Sequence, residues 1–306
     1  MRCLKQQYPG AEIHYLTKPA YATLLAHNPY IKQVHVLDKP LLQKVIELKQ
    51  LGFDYIIDLH NNLRTRIIKS VIDVPAFSFN KLNIEKALVV QTKQFMLPNV
   101  HIVNRYLDTL SSFGIVADWQ GLDYFFPHSL LQEWNMEEAV PVEKFVAFAI
   151  GAQHATKRLP TDKIIALLKE INLPVVLLGG KEDAETGNDI VNQTGNPVIN
   201  LCGKLSLHQS AYVVSKATKV ITHDTGLMHI AAALKKEIVS IWGNTIPAFG
   251  MTPYYGNADI KNNLFEVQHL DCRPCSKIGF KQCPKKHFNC MNTQPLAAIA
   301  QAVNEV

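Results

Sequence analysis

No uninterrupted apolar run in the 306 residues approaches the ~18 that a membrane-spanning helix needs, which excludes an integral membrane protein built of helices. The first residues show no basic stretch, apolar core and small-residue cleavage site, the mark of a secretory leader, so the expected compartment is the cytoplasm. Charge is sparse too: Asp, Glu, Lys and Arg make up 19% of residues and the net charge is +5. With no aromatic–basic stripe and no recognition-helix pattern, a dedicated nucleic-acid binder is not expected. The mild positive excess suits an anionic substrate or peripheral contact with a negatively charged membrane surface. Three catalytic signatures are missing as well. No Gly-x-Gly-x-x-Gly follows a strand and no Gly-x-x-x-x-Gly-Lys-Ser/Thr occurs, which argues against dinucleotide dehydrogenases and P-loop ATPases. Without a Gly-x-Ser-x-Gly elbow, an α/β-hydrolase is not expected either.

What is present is an apolar content of 47%, enough for a real core, and a length that suits two domains. Met1–Tyr8 reads as the tail of a helix ended by Pro9-Gly10, with no cap or turn before it, so the sequence enters its fold partway. Strand and helix then alternate. Ala11–Leu16, Gln33–Leu37 and Asp54–Leu59 read as strands; Lys18–His27, Leu41–Leu51 (closed by Gly52) and Leu63–Ser70 read as helices. Residues 75–100 carry no regular pattern. His101–Phe113 reads as a helix stopped by Gly114, and 115–141 is loop-rich, which puts the domain boundary at about residue 142. A second alternation begins with the strand Phe145–Ile150 and continues to a terminal helix over Pro295–Val306. Such a rhythm predicts mainly parallel sheets with helices on both faces and ligands beyond the carboxyl ends of the strands. The expected architecture is α/β, with two Rossmann-like, doubly wound domains (1–141 and 142–306) facing each other across a cleft.

The chain is organised around residues 220–234, which read as a buried strand, a polar turn and an almost wholly apolar helix. The turn holds Asp224, Thr225 and Gly226, with His229 one turn later. A helix N-terminus offers unpaired N–H groups and partial positive charge to an anion, and Gly226 lets a phosphate approach the backbone. The alternative is that Asp224 only caps the helix and His229 only packs. After Phe145–Ile150 comes a basic turn containing Lys157 and Arg158, placed to meet a phosphate or simply solvated. Pro174–Leu178 leads into Gly179-Gly180. In the first half, His60, Asn61 and Arg64 follow the strand Asp54–Leu59, where they serve either a ligand or the turn itself. Together these features suggest recognition of a nucleoside diphosphate by backbone and basic side chains.

Asp224-Thr225-Gly226-Leu227-Met228-His229-Ile230-Ala231-Ala232-Ala233 resembles the signature of the glycosyltransferase family 9 heptosyltransferases. Lys157-Arg158-Leu159-Pro160 resembles that family's Lys-Arg-Trp-Pro segment, with Leu159 in the aromatic position, and Leu177–Gly180 resembles its glycine turn. Asp58–Arg64 resembles its acceptor-side segment. The resemblance implies a GT-B fold and an inverting, metal-independent transfer of heptose from ADP-L-glycero-D-manno-heptose to the lipopolysaccharide inner core; the alternatives are a family member using another nucleotide sugar or acceptor, or a non-catalytic nucleotide-sugar-binding relative. No cofactor is implied. Lys157, Gly180, Asp224, Thr225, Gly226 and His229 would hold the donor, with Asn61 and Arg64 on the acceptor side. The family's proposed general base is an aspartate in a turn preceding the segment that Leu4–Ala11 resembles, so it is expected upstream of Met1 and no residue here takes that role.

Cys272-x2-Cys275-x7-Cys283-x6-Cys290, with His287 beside it, has the content of a metal site but not the compact second half of a zinc ribbon. Reduced structural cysteines or a disulfide are the favoured readings, with structural zinc as the alternative.

Overall fold

A computed structural model describes residues 1–94 and 96–305; Phe95 and Val306 lie outside the described residues. The chain divides into two compact units, Met1–Asn83 with Val100–Trp119, and Ile84–Asn99 with Gln120–Val306. Residue 142 therefore falls inside the second unit, which also takes in a segment from the first half of the sequence. Among the described residues no helix is long and apolar enough to cross a membrane.

In the first unit, β1 (His14–Thr17) pairs in parallel with β2 (Gln33–Val36), and β3 (Ile56–Asp58) with β4 (Ala76–Ser78). Among the described residues these are two separate two-stranded ladders. The helices Leu41–Lys49 and Leu63–Ile72 pack together over Val45, Leu48 and Ile72. Asn62 starts the second of these: its side chain accepts from the Thr65 N–H (3.1 Å) and Thr65 returns the bond to the Asn62 N–H (2.8 Å). The helix expected over His101–Phe113 is α-helical only through Leu107 and tightens to 3₁₀ geometry before Gly114, whose φ of 70° closes it.

The second unit is built on one six-stranded parallel sheet. Its strands are β5 (Val146–Ala149), β6 (Val175–Leu178), β7 (Val198–Asn200), β8 (Lys219–His223), β9 (Ile238–Trp242) and β10 (Asn262–Glu266), in the order β10-β9-β8-β5-β6-β7. Central strands of such a sheet are covered on both faces and read as continuous apolar runs, as β5 and β6 do. Successive side chains point to opposite faces. Val146, Phe148, Leu177 and Ile221 accordingly join one core, with Leu167, Ile190 and Ile299 from the helices Thr161–Lys169, Ala184–Thr194 and Leu296–Asn304. Phe145, Ala147, Val176 and Val220 join the other, with Val213 and Met228 from the helices Leu207–Lys216 and Gly226–Ala233. The irregular stretch 75–100 contains β4 and a helix, Asn83–Thr92, whose Val89 packs on Ile246 and Phe249.

Candidate active site

Because the second unit's strands are all parallel, the turns after β5, β6, β8 and β9 gather at one edge of the sheet. The chain goes from β5 outward to β6 and β7, then crosses to the other side of β5 to lay down β8. The switch point lies between β5 and β8, where ligands of open α/β sheets bind. Lys157 follows β5 and Asp224 follows β8, so the topology brings together two residues 67 positions apart in sequence.

Lys157 Nζ lies 2.5 Å from Asp224 Oδ2 and 3.3 Å from the Asp224 carbonyl oxygen. The pair is largely withdrawn from water, with side chains 15% and 9% exposed, so losing one partner would strand the other charge at a greater cost than in a surface ion pair. Thr245, in the turn after β9, donates to the same carboxylate oxygen at 2.9 Å. Asp224 is thus a ligand for Lys157 rather than the helix cap. The cap position belongs to Thr225, whose side chain caps no N–H of the first turn, and its Oγ1 sits 3.3 Å from Thr222 Oγ1. Among the described residues, the first N–H groups of the helix Gly226–Ala233 therefore receive no side-chain cap from the residue that starts it. A Cβ at Gly226 would meet nothing within 4 Å beyond its own helix and chain neighbours, so the space beside that glycine is open. His229 lies partly buried one turn on. Burial holds its imidazole below the ordinary value, with Lys157 adding to the effect and Asp224 opposing it. Lys157 is the counterion of Asp224, and two of its three N–H donors are spoken for, which leaves one for an anion.

Gly180 sits at the end of β6, where its N–H donates to Asp183 Oδ2 at 2.8 Å. Asp183, 3% exposed, is the residue that sequence reading missed. Its other oxygen takes a 2.8 Å bond from Arg158, which also donates to the Ala152 carbonyl. A Cβ on Gly151 would run into the Asp183 carboxylate, and one on Gly179 would come within 2.8 Å of its Cβ. One buried acid thus braces the glycine turns after β5 and β6 and fixes Arg158, which sequence reading left open to solvation. The signal for it was weak: Asp183 looks like any acidic residue opening a helix.

His223 is wholly buried and its Nε2 accepts the Leu159 N–H at 3.0 Å, so β8 anchors the segment carrying Lys157. Burial first, then Arg158, pushes its imidazole down to about 4 from 6.5. Above about pH 6.5 the ring is neutral folded or unfolded and contributes no pH dependence. As pH falls from there towards 4, the unfolded chain gains a proton the native state refuses, so stability declines, by up to about 3 kcal/mol. Urea unfolding at about pH 7 and pH 4.5 should show this loss, reduced in His223→Gln; an equal loss in the variant would remove His223 as its source.

The acceptor-side residues lie in the first unit. Asn61 adopts a φ of 41°, receives support from Asp58 through its N–H (2.7 Å) and donates to the Phe79 carbonyl at 3.2 Å. Its side chain therefore builds the turn after β3. Arg64 is exposed on the first turn of Leu63–Ile72. Asp58, nearly inaccessible, pairs with Lys69 at 3.0 Å and holds the N–H groups of both His60 and Asn61.

All six cysteines carry free thiols. Cys275 Sγ donates to the Cys272 carbonyl at 2.9 Å, and Cys272 Sγ lies 3.9 Å from His287 Nε2.

An α/β chain of this build, with anion-ready turns at a sheet switch point, falls in the GT-B class of glycosyltransferase folds. Among solved structures, a glycosyl transferase family 9 protein from Veillonella parvula DSM 2008 superposes with a TM-score of 0.78 at 20% identity, over 98% of this chain and 90% of that one. The E. coli ADP-heptose LPS heptosyltransferase II superposes with a TM-score of 0.66 at 19% identity, over 98% of this chain and 92% of that one. In sequence, lipopolysaccharide heptosyltransferase 2 of Escherichia coli (strain K12) is 25% identical, over 81% of this chain and 78% of that protein. Residues 43–283 match the family model for glycosyltransferase family 9 (heptosyltransferase), and the chain belongs to that family of glycosyltransferases.

Proposed function

We propose that this glycosyltransferase moves heptose from ADP-L-glycero-D-manno-heptose to the lipopolysaccharide inner core, with inversion and without a metal ion in the chemistry. The observation that carries the reading is the Lys157–Asp224 pair at the switch point beside an uncapped helix N-terminus. When a sugar leaves a nucleoside diphosphate, negative charge grows on the terminal phosphate. The remaining Lys157 N–H and the N–H groups opening Gly226–Ala233 would stabilise that charge without a divalent cation, because they are fixed before the reaction begins. Thr225 would border the same space, and Gly180 would line it from the turn after β6. His229, kept neutral by its surroundings, would offer a hydrogen bond rather than a second positive charge.

The heptosyl donor and the lipopolysaccharide acceptor are those named for similar proteins. On the acceptor side, Arg64 suits the anionic sugars and phosphates of a lipid A–core, and Asn61 shapes the turn that presents it. Contact with the inner face of the inner membrane would follow from an acceptor anchored there. Titration calorimetry tests the donor assignment: ADP-heptose should bind with at least tenfold preference over UDP- and GDP-sugars. Equal affinity for all three would leave a nucleotide-sugar enzyme of another specificity, and no binding would remove the donor reading.

A further inference from the structure

The positive charge of the chain is not evenly spread. There are 31 basic and 26 acidic residues in all, of which residues 272–304 hold five basic and no acidic ones. The rest of the chain balances at 26 against 26, so the whole excess of +5 sits in this one segment. Its single arginine, Arg273, is buried and paired with Glu266 at 2.8 Å. Lys277, Lys281, Lys285 and Lys286 are all exposed. Among them stand Ile278 and Phe280, 63% and 40% exposed.

Residues 267–288 contain neither helix nor strand, yet the turn carrying these two apolar side chains is built. The Ser276 hydroxyl accepts the N–H groups of Ile278 (3.1 Å) and Gly279 (2.9 Å). The Phe280 N–H donates to Thr156 Oγ1 at 2.8 Å, and the Thr156 hydroxyl donates back to the Phe280 carbonyl at 3.2 Å. A Cβ on Gly279, whose φ is 130°, would lie 2.6 Å from the His154 Cβ, so this backbone is seated directly on the turn after β5. Farther on, the Lys286 N–H closes a turn on the Cys283 carbonyl at 3.0 Å. Ile278 and Phe280 are therefore held out to solvent by bonded backbone rather than left there by a slack loop.

We propose that this loop docks on an anionic phospholipid surface, with Ile278 and Phe280 entering the acyl boundary and Lys277, Lys281, Lys285 and Lys286 among the headgroup phosphates. Isoleucine and phenylalanine gain by leaving water for hydrocarbon. A lysine stem can lie along apolar surface while its ammonium stays in the polar layer, so the residues flanking the tip remain hydrated as it enters. Each lysine at an anionic leaflet strengthens binding about fivefold, so the four together set a requirement for anionic lipid. A protein partner fits less well. A stable protein interface buries roughly 800 Å² on each side around a core poor in lysine, whereas this tip offers two apolar side chains ringed by lysines. A nucleic acid fits less well too, since Phe280 is the segment's single exposed aromatic residue and its arginine is buried. Because Phe280 is bonded to Thr156, the neighbour of Lys157, docking would bring the candidate donor turn to the lipid surface where a lipid-anchored acceptor lies. That last step rests on the function proposed above; the docking surface does not.

The test is cosedimentation of the full chain with vesicles of phosphatidylcholine alone and of an equimolar mixture with phosphatidylglycerol. Binding to the anionic vesicles should be at least about tenfold tighter and should weaken as salt rises, a comparison that needs no variant. Changing Lys277, Lys281, Lys285 and Lys286 together to glutamine should cost at least about tenfold with circular dichroism preserved. The same change of charge at Lys18, Lys32, Lys169 and Lys204, exposed elsewhere, should cost less than about threefold. Tryptophan emission from Ile278→Trp should move to the blue on anionic vesicles and be quenched by lipids brominated in the acyl chain, which attraction of charge alone would not produce. Equal binding to both vesicles, binding to neither, or an equal loss in the two lysine sets would overturn the surface. Unshifted, unquenched emission with anionic binding intact would overturn the insertion and leave a patch for phosphate groups. If the anionic vesicles are bound as expected and no ADP-sugar is, the donor reading fails while the docking surface stands.

Discussion

Replacing Lys157 by alanine should weaken ADP-heptose binding by about ten- to a hundredfold, the range expected when a charge-assisted hydrogen bond to phosphate is lost. The effect has two parts, because Lys157 is also the counterion of a carboxylate that is only 9% exposed. Removing it leaves Asp224 with the Thr245 hydroxyl alone and without an opposite charge, at a cost to stability of about 3 kcal/mol. The parts can be separated. Asp224→Asn in the Lys157→Ala background removes the stranded charge, so it should restore most of the stability and none of the phosphate contact. Calorimetric affinity and urea midpoints on wild type, both singles and the double make the comparison. Affinity unchanged in Lys157→Ala would take the lysine out of the donor site, whatever its effect on stability.

Much of this arrangement was legible in the sequence because it is local. The strand–turn–helix of residues 220–234 and the glycine turn after β6 are each set by neighbours within a few positions, and each forms where the pattern puts it. The irregular 75–100 segment was not legible. β4 is only three residues long and pairs with β3 alone, and Asn83–Thr92 owes its apolar contacts to Ile246 and Phe249, far along the chain. β10 was missed for a similar reason: Asn262-Asn263 are poor strand formers, and the strand exists because β9 offers it an edge. Asp224 shows the limit most clearly. Its sequence position suits a helix cap, and only the crossing of β8 back past β5 supplies Lys157 as the stronger partner. For Asn61 the sequence left a ligand contact and a turn role open, and its positive φ and its bond to Phe79 show that it does the work of the turn.

Asp183 is the other residue whose loss should be felt most, although nothing in its sequence context marks it. Its carboxylate meets Arg158, the Gly180 N–H and the space beside Gly151 and Gly179, and it adds to the burial that pushes the Cys202 thiol up to about 12. Asp183→Ala should therefore lower stability by about 3 kcal/mol, since Arg158 and the Gly180 N–H both lose a buried acceptor. Because Arg158 keeps its bonds to the Ala152 carbonyl, the segment leading to Lys157 should loosen rather than unfold. A double-mutant cycle with Arg158→Ala, followed by urea unfolding, isolates the ion pair from the rest. A coupling of about 1–3 kcal/mol is expected for partners in one buried network, and additive losses would show that Asp183 acts through Gly180 alone. The two routes also differ in catalysis. If Asp183 positions the phosphate turns, Asp183→Asn, which keeps an acceptor for Gly180 but not the negative charge facing Arg158, should raise the donor KM more than it lowers kcat. A change confined to kcat would place its influence on the transferring sugar instead.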